Sequence, residues 1–466
     1  MSDVTFTGLL RQSILAIANE ASPYLSIIAT TALLSHHAHG AATDTTAAFS
    51  GVQSSTSFAT GLFNFLIAVV MNHVGNAVGA KAWGEVLPRV RFAVTSTVVV
   101  GAVCCGVLLL LEDAILVNLL ELDSDVLDSG ARVYYKWRAL TVPAQLLLKV
   151  ATGVLAGMQM LRAFSFLNIG VAILETSSIA AALALRGGGG DNTLNTAGFV
   201  FLIVNYAGAV IGLILVRVSL LKVGEDEEVL LDPLVLGNKT VKKFSPIEFL
   251  RNSRDMLIRS LFLQSSVWSM SILASRLGSD ILAAHHVALL LWMTTSYIID
   301  GFADLGTMIG SKLLGEGDKE GFAKLTMLLI KMSLFTGVLC SAGIAIFKDQ
   351  LIDILLANPT MESKEALNGL WPLLSLAQIS NSLVFVYDGL MSANSEFRFV
   401  RNVLVTGIVF GFGPILLLEY EFYPGYISLV GLWAAKAALN LWRAGTSMWR
   451  IHWVILAKMN NDEDEI

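Results

Sequence analysis

The sequence predicts an all-α integral membrane protein of twelve transmembrane helices, arranged as two six-helix lobes that are related by an internal parallel repeat. Three observations predict this fold class. Of the 466 residues, 55% are hydrophobic and only 15% are charged, whereas soluble domains carry about 25% charged residues. Apolar runs of about 20 residues, the length that crosses a bilayer, recur along the whole chain. The third observation is a set of matching segments in the two halves.

Twelve apolar segments are long enough to be spans. Their approximate cores are 13–35, 46–72, 90–111, 133–158, 164–185, 196–221, 255–277, 282–309, 324–347, 368–393, 399–419 and 426–455. The longest polar interruption, 222–254, separates six spans from six. We therefore expect an N-terminal lobe over 1–221, a cytoplasmic linker over 222–254, and a C-terminal lobe with a short acidic tail over 255–466.

Basic residues predict the orientation of the chain in the membrane. When the loops are assigned alternately to the two sides, one side receives roughly three times as many Lys and Arg residues as the other. The poorer side receives Arg132, Lys136 and Arg138 among a few others. The richer side carries both termini and the linker, which are therefore expected to be cytoplasmic. We expect a multi-pass protein of the plasma membrane or an organelle membrane, without a cleavable signal.

The two halves of the sequence resemble each other at three places. Residues 78–85 (VGAKAWGE) resemble 309–316 (IGSKLLGE), and 152–155 leading to Arg162 resemble 388–391 leading to Arg398. Cys104 and Cys340 form the third match. Because each half has an even number of spans, the repeat is predicted to be parallel, with a binding site near the membrane midplane between the halves.

Three acidic residues within spans are candidates for coupling to a cation: Asp300, Glu20 and Asp388. A carboxylate at the centre of a membrane helix costs roughly 2.5–3.5 kcal/mol on insertion scales, so such an acid indicates function by default. Asp300 lies deep in its apolar run, and Gly301 beside it permits the close approach of a neighbouring backbone. The alternative is a structural, hydrogen-bonded acid. Glu20 precedes Pro23, which frees a backbone carbonyl, although Glu20 could also simply reach cytoplasmic water.

Other polar residues within spans are expected to line the substrate cavity: Gln145, Glu175, Asn205, Tyr206, Gln264, Trp268 and Asn381. Glu175 is alone in an apolar span, and Lys149 from the preceding helix is its expected partner, so a buried ion pair is the alternative to a functional role. Trp268 and Gln264 are one turn apart and could present an aromatic face and a polar group to an organic cation; core packing is the alternative.

Several function classes are excluded or disfavoured by the sequence. The net charge of −6 sits in short loops, and no basic stripe suggests nucleic acid. The three cysteines have neither metal spacing nor the pattern of a disulfide framework. No nucleophile–base pair or phosphate-binding loop indicates an enzyme. We expect no resident cofactor or metal and a monomer whose partners are a small organic substrate and the lipid bilayer.

The segment 296–318, SYIIDGFADLGTMIGSKLLGEGD, resembles the eighth helix of the multidrug and toxic compound extrusion (MATE) transporters, most closely their DNA-damage-inducible branch. Residues 387–390 (YDGL), leading to Arg398 and to Arg401-Asn402, are similar to the tenth helix and loop of that branch. Ser22-Pro23 followed by Thr30-Thr31 resembles its first helix. The resemblance implies a V-shaped pair of six-helix lobes that exports organic, often cationic, compounds in exchange for H⁺ or Na⁺.

One position departs from the family pattern. Where the first helix of the family carries an acid implicated in coupling, this sequence has Ala29, which cannot exchange a proton or bind a cation. Three alternatives follow: Glu20 substitutes for this acid, coupling has moved to Asp300, or the chain is a divergent member with altered coupling. We favour coupling at Asp300.

The expected function is a secondary active multidrug (xenobiotic) antiporter that uses alternating access between two lobes. Two alternatives stay open: a lipid or lipid-linked oligosaccharide flippase, and a non-transporting membrane sensor or scaffold. A flippase cavity should contain several Arg or Lys residues that bind phosphate, and the sequence offers only Lys149, Lys331 and Lys436 as obvious intramembrane cations.

Overall fold

The computed structural model describes residues 5–37, 42–119, 127–186, 192–230, 244–277, 279–355, 361–422 and 428–459. Much of the predicted linker and the acidic tail at 461–466 lie outside the described residues. Within the described residues the chain is helical and contains no strand. The helices are α1 (Phe6–His37), α2 (Ala42–Gly61), α3 (Phe65–Gly79), α4 (Trp83–Leu110), α5 (Arg132–Gly157), α6 (Leu161–Arg186), α7 (Asn192–Leu230), α8 (Pro246–Arg276), α9 (Ser279–Glu316), α10 (Lys319–Ile346), α11 (Lys348–Leu355), α12 (Met361–Ala393), α13 (Phe397–Gly407), α14 (Gly413–Phe422) and α15 (Leu429–Trp449).

The predicted all-α membrane fold is confirmed. Within the described residues, each of the twelve predicted spans lies on one helix or on consecutive helical segments. Eight helical segments of the described chain are long and apolar enough to cross a membrane by length and composition. The second span is broken by a turn at 62–64 between α2 and α3, and the eleventh contains a π-helical turn, Ile408–Phe412, between α13 and α14.

The chain forms two compact units. One comprises residues 18–249, and the other comprises residues 1–17 together with 250–466. We call them the N-terminal unit and the C-terminal unit. In the C-terminal unit, α12 packs against α9, α10 and α15. In the N-terminal unit, the corresponding helix α5 packs against α3, α4 and α7.

The internal repeat has a constant register of 236 residues. The helix pairs α3–α4 and α9–α10 are each joined by a turn with one residue at positive φ, Lys81 and Gly317, and 317 − 81 is 236. Gln159 and Ser395, which follow α5 and α12, have the same relation (395 − 159). This register corrects one sequence match. The segment 78–85 is equivalent to 314–321, five residues beyond the segment that its letters resemble.

Equivalent glycines make equivalent close contacts in the two units. A Cβ atom built on Gly153 would meet the backbone of Ile67, and one built on Gly389 would meet the backbone of Ala303. Ala303 is 236 residues after Ile67 and Gly389 is 236 after Gly153, so one packing contact occurs twice. Because a side chain at either glycine would collide with main-chain atoms, only glycine permits these helices to approach this closely.

Candidate functional site

Glu175 is the buried acid of the N-terminal unit. It lies on α6, is 8% exposed, and accepts hydrogen bonds from the Ser26 hydroxyl (3.2 Å) and the Asn205 amide (3.3 Å). Ser26 also lies 2.9 Å from the hydroxyl of Thr176. Two predicted cavity residues, Glu175 and Asn205, are thus in direct contact. Uncharged hydrogen-bond donors hold the carboxylate in place, but they do not compensate its negative charge.

The cation that faces Glu175 is Arg138, not the expected Lys149. Arg138 interacts electrostatically with Glu175, is 4% exposed, and stacks its guanidinium 3.7 Å from the centre of the Phe201 ring. Lys149 instead donates a hydrogen bond to Asn64 (2.5 Å). Sequence analysis assigned Arg138 to a loop because it lies near the predicted start of the span. The structure places it on α5, turned inward.

Glu20 lies half-buried on α1 and is held by polar neighbours. It accepts a hydrogen bond from the Asn19 amide (2.9 Å), and Asn19 accepts one from Asn168 (2.9 Å). Lys149 interacts with Glu20 electrostatically. The carbonyl that Pro23 frees is that of Asn19, and the Ser22 hydroxyl donates to it (3.1 Å), as expected for a proline inside a helix. The Glu20 side chain is therefore fixed by hydrogen bonding, close to the point where Pro23 interrupts the backbone hydrogen bonds of α1.

Asp388 forms the centre of an ion-pair cluster in the C-terminal unit. It accepts from Arg259 of α8, and Arg443 of α15 donates to the same carboxylate oxygen (2.6 Å). The side chains of all three residues are less than one-fifth exposed. Two guanidinium groups on one carboxylate give the cluster an excess positive charge. They also strongly favour the ionised form of Asp388.

Asp300 lies near the middle of α9 and is half-buried. A Cβ atom built on the neighbouring Gly301 would lie 2.8 Å from the backbone nitrogen of Ile17. The expected close approach at Gly301 is therefore confirmed, and α1 is the helix that makes it. In the repeat register Asp300 is equivalent to Asn64, the residue that accepts from Lys149.

A buried amide network lies between α9, α12 and α15. Asn381 donates to the Ser296 hydroxyl (2.9 Å) and accepts from Asn440 (3.5 Å). Gln378, one turn earlier on α12, accepts from Thr295 (2.7 Å). Asn381 is thus part of the interior of the C-terminal unit, and its repeat equivalent is Gln145.

The remaining predicted cavity residues are less enclosed. Gln145 and Gln264 are half-buried. Tyr206 is exposed and donates to the carbonyl of Leu140 (3.2 Å). Trp268 is 47% exposed, so the core-packing alternative for this residue is wrong.

Sequence alone did not identify three enclosed arginines: Arg138 and Arg443 are buried, and Arg259 is half-buried. The prediction that intramembrane cations are sparse is therefore wrong. The spacing of Lys436, Asn440 and Arg443 placed all three on one helix face and could have revealed Arg443. Arg138 and Arg259 lie near span ends, where sequence alone does not distinguish a buried guanidinium from one that extends to water.

Comparison with known proteins agrees with this architecture. The MatE family profile matches residues 256–416. The chain is 24% identical over 404 residues to DNA damage-inducible protein F of Escherichia coli, covering 86% of this chain and 83% of the relative. It is 26% identical over 225 residues to Protein DETOXIFICATION 42 of Arabidopsis thaliana, covering 45% of this chain and 41% of the relative.

Solved structures share the fold at lower sequence identity. A MOP superfamily transporter of Pyrococcus furiosus, described as having a binding pocket of reverse polarity, superposes with a TM-score of 0.77 at 12% identity, covering 98% of this chain and 96% of that chain. The eukaryotic MATE transporter AtDTX14 gives a TM-score of 0.76 at 14% identity and covers 99% of each chain. The chain is thus similar in sequence to DNA damage-inducible protein F, matches the MatE family profile over residues 256–416, and shares the fold of solved MATE transporters.

Proposed function

We propose that the chain is a secondary active antiporter that exports organic compounds in exchange for H⁺ or Na⁺. The MatE family profile matches residues 256–416 and solved MATE transporters share the fold, which supports transport as the function. Transport proceeds by alternating access, in which one lobe rocks against the other. The lobes are 1–221 and 255–466, joined by 222–254. The protein acts as a monomer, needs only the coupling ion, and has cytoplasmic termini, as the distribution of basic residues predicts.

The observation that carries the coupling proposal is the position of Asp300. Its carboxylate is half-buried near the middle of a 38-residue helix, beside the close approach of α1. A carboxylate within a membrane helix can take up and release a proton or a cation, and such acids are typical of ion pathways. Loading and release of that cation changes the relative stability of the two access states. This differential stability is what couples an ion gradient to movement.

The other two acids support coupling less directly. Asp388 is paired with two arginines, an arrangement that favours permanent ionisation and a positioning role for those arginines. Glu20 is hydrogen-bonded to Asn19 and lies near Lys149. We therefore assign coupling first to Asp300 and second to Glu20.

Reconstituted protein tests this assignment. Proteoliposomes loaded with ethidium, an organic cation, are given an inward pH or Na⁺ gradient, and fluorescence reports gradient-driven efflux. Asp300→Asn is expected to abolish the effect of the gradient because the amide cannot exchange a proton or neutralise a cation. Asp349→Asn is the matched control, since Asp349 is exposed. Equal gradient-driven efflux by wild type and Asp300→Asn would show that the coupling group lies elsewhere.

A lipid flippase is the second candidate function, and the buried arginines favour it. Guanidinium groups are the type that phosphate recognition uses, and the chain encloses three of them: Arg138 beside Glu175, and Arg259 and Arg443, which a phosphate would have to share with Asp388. Transfer of a fluorescent anionic phospholipid between leaflets, followed by dithionite quenching in the same vesicles, distinguishes the two. Gradient-independent lipid transfer without ethidium efflux would replace the antiporter by a flippase.

A further inference from the structure

One face of α15 carries three polar side chains that are enclosed in the C-terminal unit. Trp433, Lys436 and Asn440 are spaced by three and four residues, so they lie on the same side of the helix. Each is at most 3% exposed. Trp433 belongs to a cluster of buried apolar side chains that includes Val287, Leu291, Leu370, Leu374, Leu432 and Leu439, and Asn440 donates to Asn381.

These three side chains have polar atoms that nothing in the described part of the chain satisfies. The indole nitrogen of Trp433, the ammonium of Lys436 and the side-chain oxygen of Asn440 are buried and have no hydrogen-bond partner among the described residues. Buried polar atoms are nearly always hydrogen-bonded. Three exceptions on one helix face therefore indicate a place where a partner is missing.

The neighbours of Lys436 do not neutralise its charge. The ammonium lies 4.6 Å from the centre of the Trp292 ring, and a cation–π contact offsets only part of the cost of removing a charge from water. Its charged neighbour on α15 is Arg443, which repels it. The carboxylate of Asp388 is already bound by Arg259 and Arg443.

The donors that lack acceptors have the chemistry of an anion site. An ammonium and an indole N–H, one turn apart, both donate, and a planar or tetrahedral anion offers an oxygen acceptor to each. The Trp292 ring on α9 lies against the ammonium, and the ring of His285, two turns earlier on α9, lies 5.9 Å from that of Trp433. Aromatic rings on the facing helix would keep such an anion away from water.

We infer that Lys436 and Trp433 bind an anionic oxygen group, a carboxylate or a phosphate, of the compound that this protein transports. The inference rests on the proposed transport function and specifies the substrate class inside the C-terminal unit. The anion is either a soluble organic acid or the headgroup of a lipid. In both cases its oxygens accept from the lysine ammonium and the tryptophan N–H.

Binding to the purified full-length protein in detergent tests this inference. The soluble probe is carboxyfluorescein, followed by anisotropy, and the lipid probe is fluorescent phosphatidylglycerol. Lys436→Met removes the charge and keeps the length of the side chain, so it is expected to lower the affinity for the probe by roughly tenfold or more. Trp433→Phe removes the N–H and keeps a ring, so a smaller loss is expected. Whichever probe is lost identifies the source of the anion.

Matched controls separate binding from folding. Lys331→Met changes a lysine that is exposed on α10 and is expected to bind both probes as wild type does. Trp371→Phe removes an indole N–H that already donates to the Ile344 carbonyl (2.9 Å), so it is expected to lower the melting temperature and leave probe binding unchanged. Lys436→Met is expected to melt at or above the wild-type temperature, because an unpaired buried charge is removed.

Two outcomes overturn the inference: neither probe binds the wild-type protein, or Lys436→Met binds both probes as tightly as wild type. Its failure is distinct from failure of the antiporter proposal. If ethidium efflux is driven by the gradient but no anionic probe binds, the anion-site inference is wrong and the antiporter proposal stands. If probe binding depends on Lys436 but no gradient drives any flux, the antiporter proposal is wrong and the anion site stands.

Discussion

At the scale of single residues, Asp388 compensates the charge of two enclosed arginines. Arg443 and Arg259 meet on its carboxylate inside the C-terminal unit. Removal of one member of a buried ion pair leaves an uncompensated charge, which is far more costly than the net stabilisation that the intact pair provides. Asp388 therefore contributes to stability whether or not it has a part in transport.

Asp388→Asn is expected to destabilise the protein by about 3–5 kcal/mol, because Arg259 and Arg443 lose their common counter-charge. The measurement is the thermal unfolding midpoint of the purified protein in detergent. Asp349→Asn serves as the control, since that side chain is exposed, and its midpoint should equal that of wild type. A midpoint for Asp388→Asn that also matches wild type would mean that the arginines are compensated by other groups.

The sequence predicted which residues are polar within spans but not how they pair. Glu175 and Asn205 were both singled out, and they are hydrogen-bonded. Lys149 was assigned to Glu175 because it lies on the preceding helix, yet it donates to Asn64. The rotation of one helix about its axis determines which partner a long side chain reaches, and hydropathy within a span does not report that rotation. The coupling roles of Asp300, Glu20 and Asp388 stay predictions.

At the scale of elements, the helix–helix turns carry the repeat. The turns after α3 and α9 each place one residue in the left-handed region, Lys81 at φ 55° and Gly317 at φ 74°. A non-glycine residue there experiences contact between its Cβ and the backbone, which costs roughly 1–2 kcal/mol. Glycine adopts this conformation without that cost. The two equivalent turns therefore have different local strain.

Lys81→Gly and Gly317→Ala are expected to change stability in opposite directions. The first relieves strain and should stabilise the protein by up to about 1 kcal/mol, while the second introduces strain and should destabilise it by a similar amount. Thermal unfolding of the two variants and of wild type is the comparison. Gly445→Ala is a useful reference, because a Cβ at Gly445 meets no atom within 4 Å. A shift of the same sign in both turn variants would contradict the strain argument.

Most elements could be predicted from apolar run length, since the bilayer sets the length of a span. The interruptions within spans could not. The break at 62–64 lies inside an apolar run, and its Asn64 receives a hydrogen bond from Lys149, a residue of another helix. The register of the first repeat match was wrong for a related reason. The sequence of 309–316 resembles that of 78–85, but the structurally equivalent turn is defined by where the helices end, and sequence similarity does not show those helix ends.

At the scale of the whole molecule, a parallel repeat inserts the same helices in the same direction twice. Turns at equivalent positions should therefore reach the same side of the membrane. Residues 159 and 395 follow α5 and α12, and residues 113 and 349 follow α4 and α10. The two members of each pair differ by 236 residues, so the chain offers two matched pairs of positions.

Single-cysteine labelling tests the sidedness of these turns. In a background in which Cys104, Cys105 and Cys340 are alanine, a membrane-impermeant maleimide is added to sealed inside-out and right-side-out vesicles. Gln159→Cys and Ser395→Cys are expected to label from the cytoplasmic side. Asp113→Cys and Asp349→Cys are expected to label from the opposite side. Labelling of the two members of a pair from different sides is incompatible with a parallel repeat.

The duplicated glycine contacts have one consequence for how such a protein can diversify. Gly153 on Ile67 and Gly389 on Ala303 fasten the two copies of the backbone in the same way, while the interior around them differs. The position of Asn64 in the first copy is occupied by Asp300 in the second, and the position of Lys149 is occupied by Phe385. After such a gene duplication, both copies keep the same backbone packing, while the interior side chains of each copy can change independently. Charge selectivity in one copy can then change sign without disturbing the mechanics of the other.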